Sequence, residues 1–240
     1  MRLYLASTSP ARLATLRAVG IEPVAIAPGV NEQAAVDAAA VVHPEGRLPA
    51  DEMVQLLARL KAEAVLAPGL LAAAGLMPSE LNGSGVEGGG LGGGGLDGGG
   101  LDGFILGGDS AFELDGIVYG KPLHPAVARE RWLAQRGRSG VLHSGHWLID
   151  HRGGAVRGAV GRASRAVVHF AEDIETEEID AYIATGEPLQ VAGAFTIDAK
   201  GAGFIDRIEG DPHSVVGLSV PLVRKLVHEL GGRWTDLWNR

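Results

Sequence analysis

The dipeptide Asp115-Gly116 constrains the fold more than any other feature of the chain. It stands between Phe112-Glu113-Leu114 and Ile117-Val118-Tyr119, and an Asp-Gly pair between two apolar strand-forming triplets supplies the positive φ angles of a two-residue hairpin turn. One pair of neighbouring strands must therefore be antiparallel. Elsewhere strands and helices alternate. Leu3 to Ala6 reads as a short buried strand; Ser9 then caps a helix with Pro10 at its first position, Leu13, Leu16 and Val19 at helical spacing, and Gly20 as its stop. From about Asp51 to Val65, Met53, Leu56, Leu57, Leu60 and Ala64 form one apolar helix face with Lys61 at its edge. Phe104 to Gly108 is a short apolar strand running into Asp109. Beyond the hairpin come a helix after Pro125, strands near Val141 to Ile149 and Ala163 to Ala171, a helix from Thr176 to Thr185 and a C-terminal helix from Pro221. The expected class is α/β, a mixed β-sheet flanked by helices.

Between Asn82 and Gly103 more than half of the residues are glycine, punctuated by Leu91, Leu96 and Leu101. A phosphate-cradling loop would need a Gly-Lys-Ser/Thr ending, and no Lys or Arg occurs between Lys61 and Lys121. The stretch reads as a flexible insertion in a surface loop. Closure cost grows only logarithmically with length, so replacing it by a short Gly-Ser turn is expected to alter stability by no more than about 1 to 2 kcal/mol. The remaining sequence suffices for one compact domain over residues 1–240, or two lobes sharing a cleft. A net charge of −8 argues against a protein that coats nucleic acid or an anionic membrane. With no cysteine, thiolate metal sites and thiol nucleophiles are excluded. The N-terminal apolar run is too short for a signal segment and no later run has membrane-span length, so the chain reads as cytoplasmic.

Candidate chemistry sits at the ends of these elements. The helix opened by Ser9-Pro10 presents unpaired N–H groups, and Ser7 and Arg12 add a hydroxyl and a guanidinium, which together make an anion site or an ordinary helix cap. Asp109 follows a buried strand at its carboxyl end, where open α/β sheets hold ligands, or else starts a solvated turn. Lys121 closes the hairpin and either swings back toward Asp109 or stays exposed. Lys61 either snorkels to solvent or enters a cleft. Glu32 is an ordinary surface acid unless the fold brings it near Asp109.

The order of short blocks is more specific than any one of them. Leu5 to Arg12 (Leu-Ala-Ser-x-Ser-Pro-x-Arg), Asn31-Glu32, Leu57 to Ala62, Gly108-Asp109-Ser110, Gly120-Lys121-Pro122, Ser139-Gly140, Thr185 to Pro188, Ala192 to Phe195, Ile208 to Asp211 and Val215 to Leu218 resemble, in order and rough spacing, the Maf family of nucleotide pyrophosphatases. The resemblance covers nearly the whole chain except the glycine-rich stretch. It implies a Maf/inosine-triphosphatase-like fold with a cleft between two lobes, and cleavage of a nucleoside triphosphate to the monophosphate and pyrophosphate. It makes Asp109 the proton acceptor and, with Glu32, a holder of a divalent cation, Mg2+ or alternatively Mn2+. It places Ser7, Arg12, Lys61 and Lys121 on the phosphates and assigns base choice to Ala11, Ser110 and Asp198. At those three positions the chain departs from the family's best-known patterns: Ala11 stands where many members have a second arginine, and Ser110 and Asp198 where the thymidine- and uridine-selective members have Thr and Gln. A homodimer, a nucleotide-sensing module linked to septum arrest, and an inosine/xanthosine triphosphatase remain the alternatives, although the glycine- and asparagine-containing N-terminal motif of the last is absent.

Overall fold

A computed structural model describes residues 1–67 and 100–240. In chain order the elements are β1 (Arg2–Ala6), α1 (Pro10–Ala18), β2 (Val24–Ile26), α2 (Glu32–Val42), α3 (Ala50–Ala64), β3 (Gly103–Leu114), β4 (Ile117–Tyr119), α4 (Pro125–Gln135), β5 (Ser139–Asp150), β6 (Gly158–Phe170), α5 (Thr176–Ala184), β7 (Ile205–Gly210), α6 (Pro212–Val216) and α7 (Val220–Glu229). Seven strands form one sheet in the order β2-β1-β3-β5-β6-β7, with β4 on β3. The sheet is mixed: β1 runs parallel to β2 and β3, and the remaining pairs are antiparallel. Asp115 and Gly116 take φ of 52° and 76°, the left-handed pair that the hairpin demanded.

Alternation along the strands sorts side chains onto two faces. On one face Leu3, Leu5, Phe104, Leu106 and Leu148 pack with Leu16 of α1 and with Val223, Leu226 and Val227 of α7. Further along the same face Phe112, Leu114, Leu142, Val168 and Phe170 pack with Trp132 of α4 and Ile179 and Tyr182 of α5. Tyr4, Ala6, Ile105 and Ile149 face the opposite way, with Ala62 and Val65 of α3 and its end. Helix α3 lies close against the sheet. A Cβ added at Gly107 would strike the Ala58 carbonyl oxygen and come within 2.8 Å of the Ala62 nitrogen.

Register creates a gap in the sheet. Pairing of β1 with β3 ends at Ala6↔Gly107, and pairing of β4 with β3 begins at Phe112↔Tyr119. Between them Gly108 to Ala111 have β5 on one side and, among the described residues, no strand on the other. This bare stretch also lies where the two apolar clusters of the α1 face part.

The expectation that Asn82 to Gly99 form a spacer lies outside the described residues, but the end of that stretch does not. Leu101 is buried, its carbonyl meets His151 Nδ1 at 2.8 Å, Asp102 Oδ1 accepts from Gly153 N at 2.8 Å, and Gly103 opens β3. Leu101 and Asp102 are thus tied into the fold beside Gly103, the first residue of β3. Replacing residues 82–99 by a Gly-Ser turn should change unfolding free energy by no more than about 1 to 2 kcal/mol. Leu101→Ala should cost about 2 to 5 kcal/mol. Urea denaturation separates the two, and a Leu101→Ala variant as stable as wild type would return that residue to the spacer. The same measurement tests α3: Gly107→Ala should lose about 3 kcal/mol or more by overpacking. Gly203, with nothing within 4 Å of an added Cβ, should accept alanine within about 0.5 kcal/mol.

Candidate active site

The gap in the sheet is filled by side chains. Ser9 caps α1, its Oγ accepting from Arg12 N at 3.4 Å, and Ser7 Oγ accepts from Ser9 N at 3.1 Å. One turn into the helix, Arg12 projects across Gly108, where an added Cβ would lie 3.2 Å from its Nε. Its guanidinium is fixed on three sides: Nε donates to Gly217 O at 2.8 Å, Nη1 to Ser7 Oγ at 3.2 Å and Nη2 to Ser110 Oγ at 2.9 Å. A guanidinium has five N–H bonds, so one on each terminal nitrogen is left for a ligand. Ser7 Oγ already accepts two N–H bonds, which turns its own O–H outward as a donor.

Asp109, on the opposite face of β3 from Ser110, points toward α3. Lys61 reaches it from the rim of the apolar face of α3, with Nζ 2.6 Å from Asp109 Oδ1 and 2.7 Å from Glu32 Oε1. Lys61 has therefore entered the cleft, its side chain 9% exposed. The same ammonium resolves the position of Glu32, whose helix α2 is capped by Asn31. Burial pushes the Asp109 carboxyl above its ordinary range, and Lys61 and Arg12 pull it back only in part. Burial likewise lowers the Arg12 guanidinium from its ordinary value, against the pull of Asp109 and Glu32.

Two carboxylates converging on one ammonium are a donor set that suits a hard divalent cation. Among the described residues no third His, Cys, Asp or Glu completes a protein-only metal cluster. Remaining ligands would come from water and phosphate, as is usual for Mg2+.

Behind Arg12 lies a polar layer to which sequence reading assigned no role. Ser144 of β5 bonds Ser110 Oγ at 2.9 Å and donates to Ser214 O at 2.8 Å. Ser219 Oγ donates to Asp211 Oδ2 at 2.5 Å, and Ser219 N donates to His146 Nε2 at 2.8 Å. The only signal for this layer was the Ile208 to Asp211 and Val215 to Leu218 blocks, which fix the segment that carries the Gly217 carbonyl.

The structure thus brings Ser7, Arg12, Glu32, Lys61, Asp109 and Ser110 together. Ala11 is half-buried on α1 beside them, its carbonyl accepting from Thr15 Oγ1. Lys121 and Asp198 are exposed and, among the described residues, bond to none of the group. Lys200 and Arg207, considered as partners for Asp198, instead pair with Glu187 at 3.8 Å and Glu209 at 2.7 Å. A surface depression of about 540 Å³ on the outer side of α1, lined by Leu13, Arg17 and Arg240 among others, shares none of these residues.

A mixed-sheet α/β protein that sets paired carboxylates against a lysine, an arginine and a helix N-terminus has the makings of a phosphoanhydride site. Residues 2–230 match the family model of the Maf-like proteins, and the chain belongs to that family. It is 58% identical to a nucleoside triphosphate pyrophosphatase of Leifsonia xyli subsp. xyli, over all of this chain and 98% of that protein. It is 44% identical to proteins of the same name from Salinispora tropica, over 100% of this chain and 88% of that one, and Nocardia farcinica, over 98% and 96%.

His146 gives the polar layer a pH signature. Its Nε2 accepts a backbone N–H, which requires a neutral ring, and burial followed by the charge of Arg12 lowers its pKa from 6.5 to about 4. The unfolded chain binds the extra proton across that window, so stability is full above about pH 6.5 and is lost as pH falls toward 4, by about 3 kcal/mol. Urea unfolding at pH 7 and pH 4.5 should show a larger acid loss in wild type than in His146→Gln, which keeps an acceptor but does not titrate. Equal losses would clear His146 of the effect.

Proposed function

We propose that the chain hydrolyses nucleoside 5′-triphosphates to the monophosphate and pyrophosphate, with Asp109 accepting the proton of the attacking water. The observation that carries this reading is the shared ammonium: Lys61 Nζ lies within 2.7 Å of both Asp109 and Glu32, beside a guanidinium and a hydroxyl that each have donors to spare. The names of the relatives support the same reaction.

Each group has a chemical task. Asp109, buried at the sheet gap and held in place by Lys61 at 2.6 Å, accepts the proton of the attacking water. Arg12 and the Ser7 hydroxyl donate to phosphate oxygens and stabilise charge that builds on the leaving pyrophosphate. With a cation on Asp109 and Glu32, Lys61 would be available to pair with that charge. Asp109 and Glu32 would hold the divalent cation, Mg2+ or Mn2+, which when bound supplies Lewis-acid polarisation of phosphate oxygens and a more acidic water. Lys121, exposed beyond β4, joins the phosphates only when substrate is present. Asp198 is an acceptor when ionised and favours a base edge rich in N–H donors, which suits a role in removing non-standard nucleotides.

With Mg2+, purified protein should yield a nucleoside monophosphate and pyrophosphate, and a diphosphate with orthophosphate as products would sink the reading. Asp109→Asn should fold normally, by circular dichroism, yet lose turnover by roughly two to four orders of magnitude, the scale of a positioned general base. Retention of more than about a tenth of wild-type turnover at saturating Mg2+ lies outside that scale and would remove Asp109 from the role.

A further inference from the structure

We infer that Ser144 is a positioning residue for nucleotide hydrolysis: through Ser110 it holds Arg12 on the phosphate chain, so that position 110 serves phosphate grip. The inference rests on the proposed role of Arg12 as a phosphate donor.

Proton counting gives the chain a direction. A carbonyl oxygen only accepts, so the 2.8 Å bond from Ser144 Oγ to Ser214 O uses the one hydroxyl proton of Ser144. The 2.9 Å bond between Ser144 and Ser110 must then be donated by Ser110. That leaves Ser110 Oγ as the acceptor for Arg12 Nη2 at 2.9 Å. The sequence of donation is fixed as Arg12 to Ser110 to Ser144 to Ser214, and each bond polarises the next. The proton of Ser110 is thus spent inward, on Ser144.

The chain is anchored at its far end. Ser144 and Ser214 are fully buried. Ser214 Oγ donates to Ser164 Oγ at 2.9 Å, and Ser164 Oγ donates back to the Ser144 carbonyl at 3.3 Å. Ser214 sits in α6, which ends at Gly217, whose carbonyl takes the Nε of Arg12 at 2.8 Å. One hydroxyl on β5 therefore supports two of the three contacts that aim Arg12: Nη2 through Ser110, and Nε through the seat of α6. Without it the Ser110 hydroxyl is free to rotate, the Ser214 carbonyl keeps only the Gly217 N–H at 3.1 Å, and the guanidinium loses its fixed angle.

Inorganic tripolyphosphate carries the phosphates of the substrate and no base, so its inhibition of turnover reads phosphate grip alone. Ser144→Ala should weaken that inhibition about three- to tenfold, the scale of one neutral hydrogen bond. It should lower kcat/KM by a similar factor for every nucleotide in a panel of different bases. Ser110→Ala, at a half-buried position that disturbs packing less, should do the same, and the double variant should add little to either single change because both break one chain. Unchanged tripolyphosphate inhibition in folded Ser144→Ala or Ser110→Ala, with discrimination among bases altered, would overturn the inference and make position 110 a base reader. Arg12→Ala is the control that separates the two claims. If it leaves tripolyphosphate inhibition intact, the phosphate role of Arg12 falls and this inference with it; if only the serine variants leave it intact, the serine chain alone falls.

Discussion

An ammonium held between two carboxylates at the bare edge of a strand is the interaction around which the site of this protein is arranged. Lys61 is delivered by α3, Glu32 by the first residue of α2 and Asp109 by β3. Burying a carboxylate is costly unless charge and hydrogen bonds compensate, and the ammonium supplies both to Asp109. The arrangement is also self-limiting. A flexible lysine side chain can shift its head without unfolding anything. Glu32, with a side chain half exposed, is the movable partner of the three, and α2 behind it buries no residue at all.

The gap that hosts these groups follows from register. A strand five residues long, Arg2–Ala6, pairs with the start of β3 and stops, and a three-residue β4 pairs with its end. The chain leaves β1 into Ser7 and Ser9, so the N-terminus of α1 must point at the unpaired stretch of β3. Alternation then divides the labour within two adjacent residues: Asp109 faces α3 and the Lys61 ammonium, Ser110 faces α1 and the guanidinium. Gly108 is part of the same geometry, because a side chain there would crowd Arg12.

Much of this was legible in the sequence, and the exceptions have physical causes. The hairpin, β1, α1, α3 and the approach to Asp109 carry strong local signals, a turn dipeptide, a Ser-Pro cap or a one-sided apolar face, and each appears within a few residues of its expected place. Helix α2 gave no such signal, because Ala and Val surround it on all sides while none of its residues is buried, so there was no face to read. Strand β7 lies at the sheet edge with only Ile205 and Ile208 half-buried, and β6 begins at Gly158 rather than near Ala163 because Gly161 lets it pass Trp147. Of the site, Asp109, Arg12 and Ser7 stood at informative positions. Lys61 and Glu32 became readable only through the resemblance, since neither their helix position nor their neighbours distinguish them from surface charges. Ser144, Ser164, Ser214 and Ser219 were invisible: an isolated serine in a strand or cap carries no mark of the partner that a distant segment will bring.

The serines also show how an acidic chain can grip a polyanion. With a net charge of −8, the protein has no extended positive field to offer, so attraction must come from a few donors whose directions are fixed before the ligand arrives. Direction is what the hydroxyl network supplies. Ser7 accepts twice from the protein and so points its proton outward, whereas Ser110 accepts from Arg12 and sends its proton inward to Ser144. Two hydroxyls flanking the same guanidinium thus play opposite parts, one with its proton unspent and one in support. Neither part depends on net charge; both depend on which lone pairs the fold has already filled. Preorganisation of this kind leaves little reorientation to be done when a phosphate enters, and that is the condition under which neutral donors contribute most to stabilising developing charge.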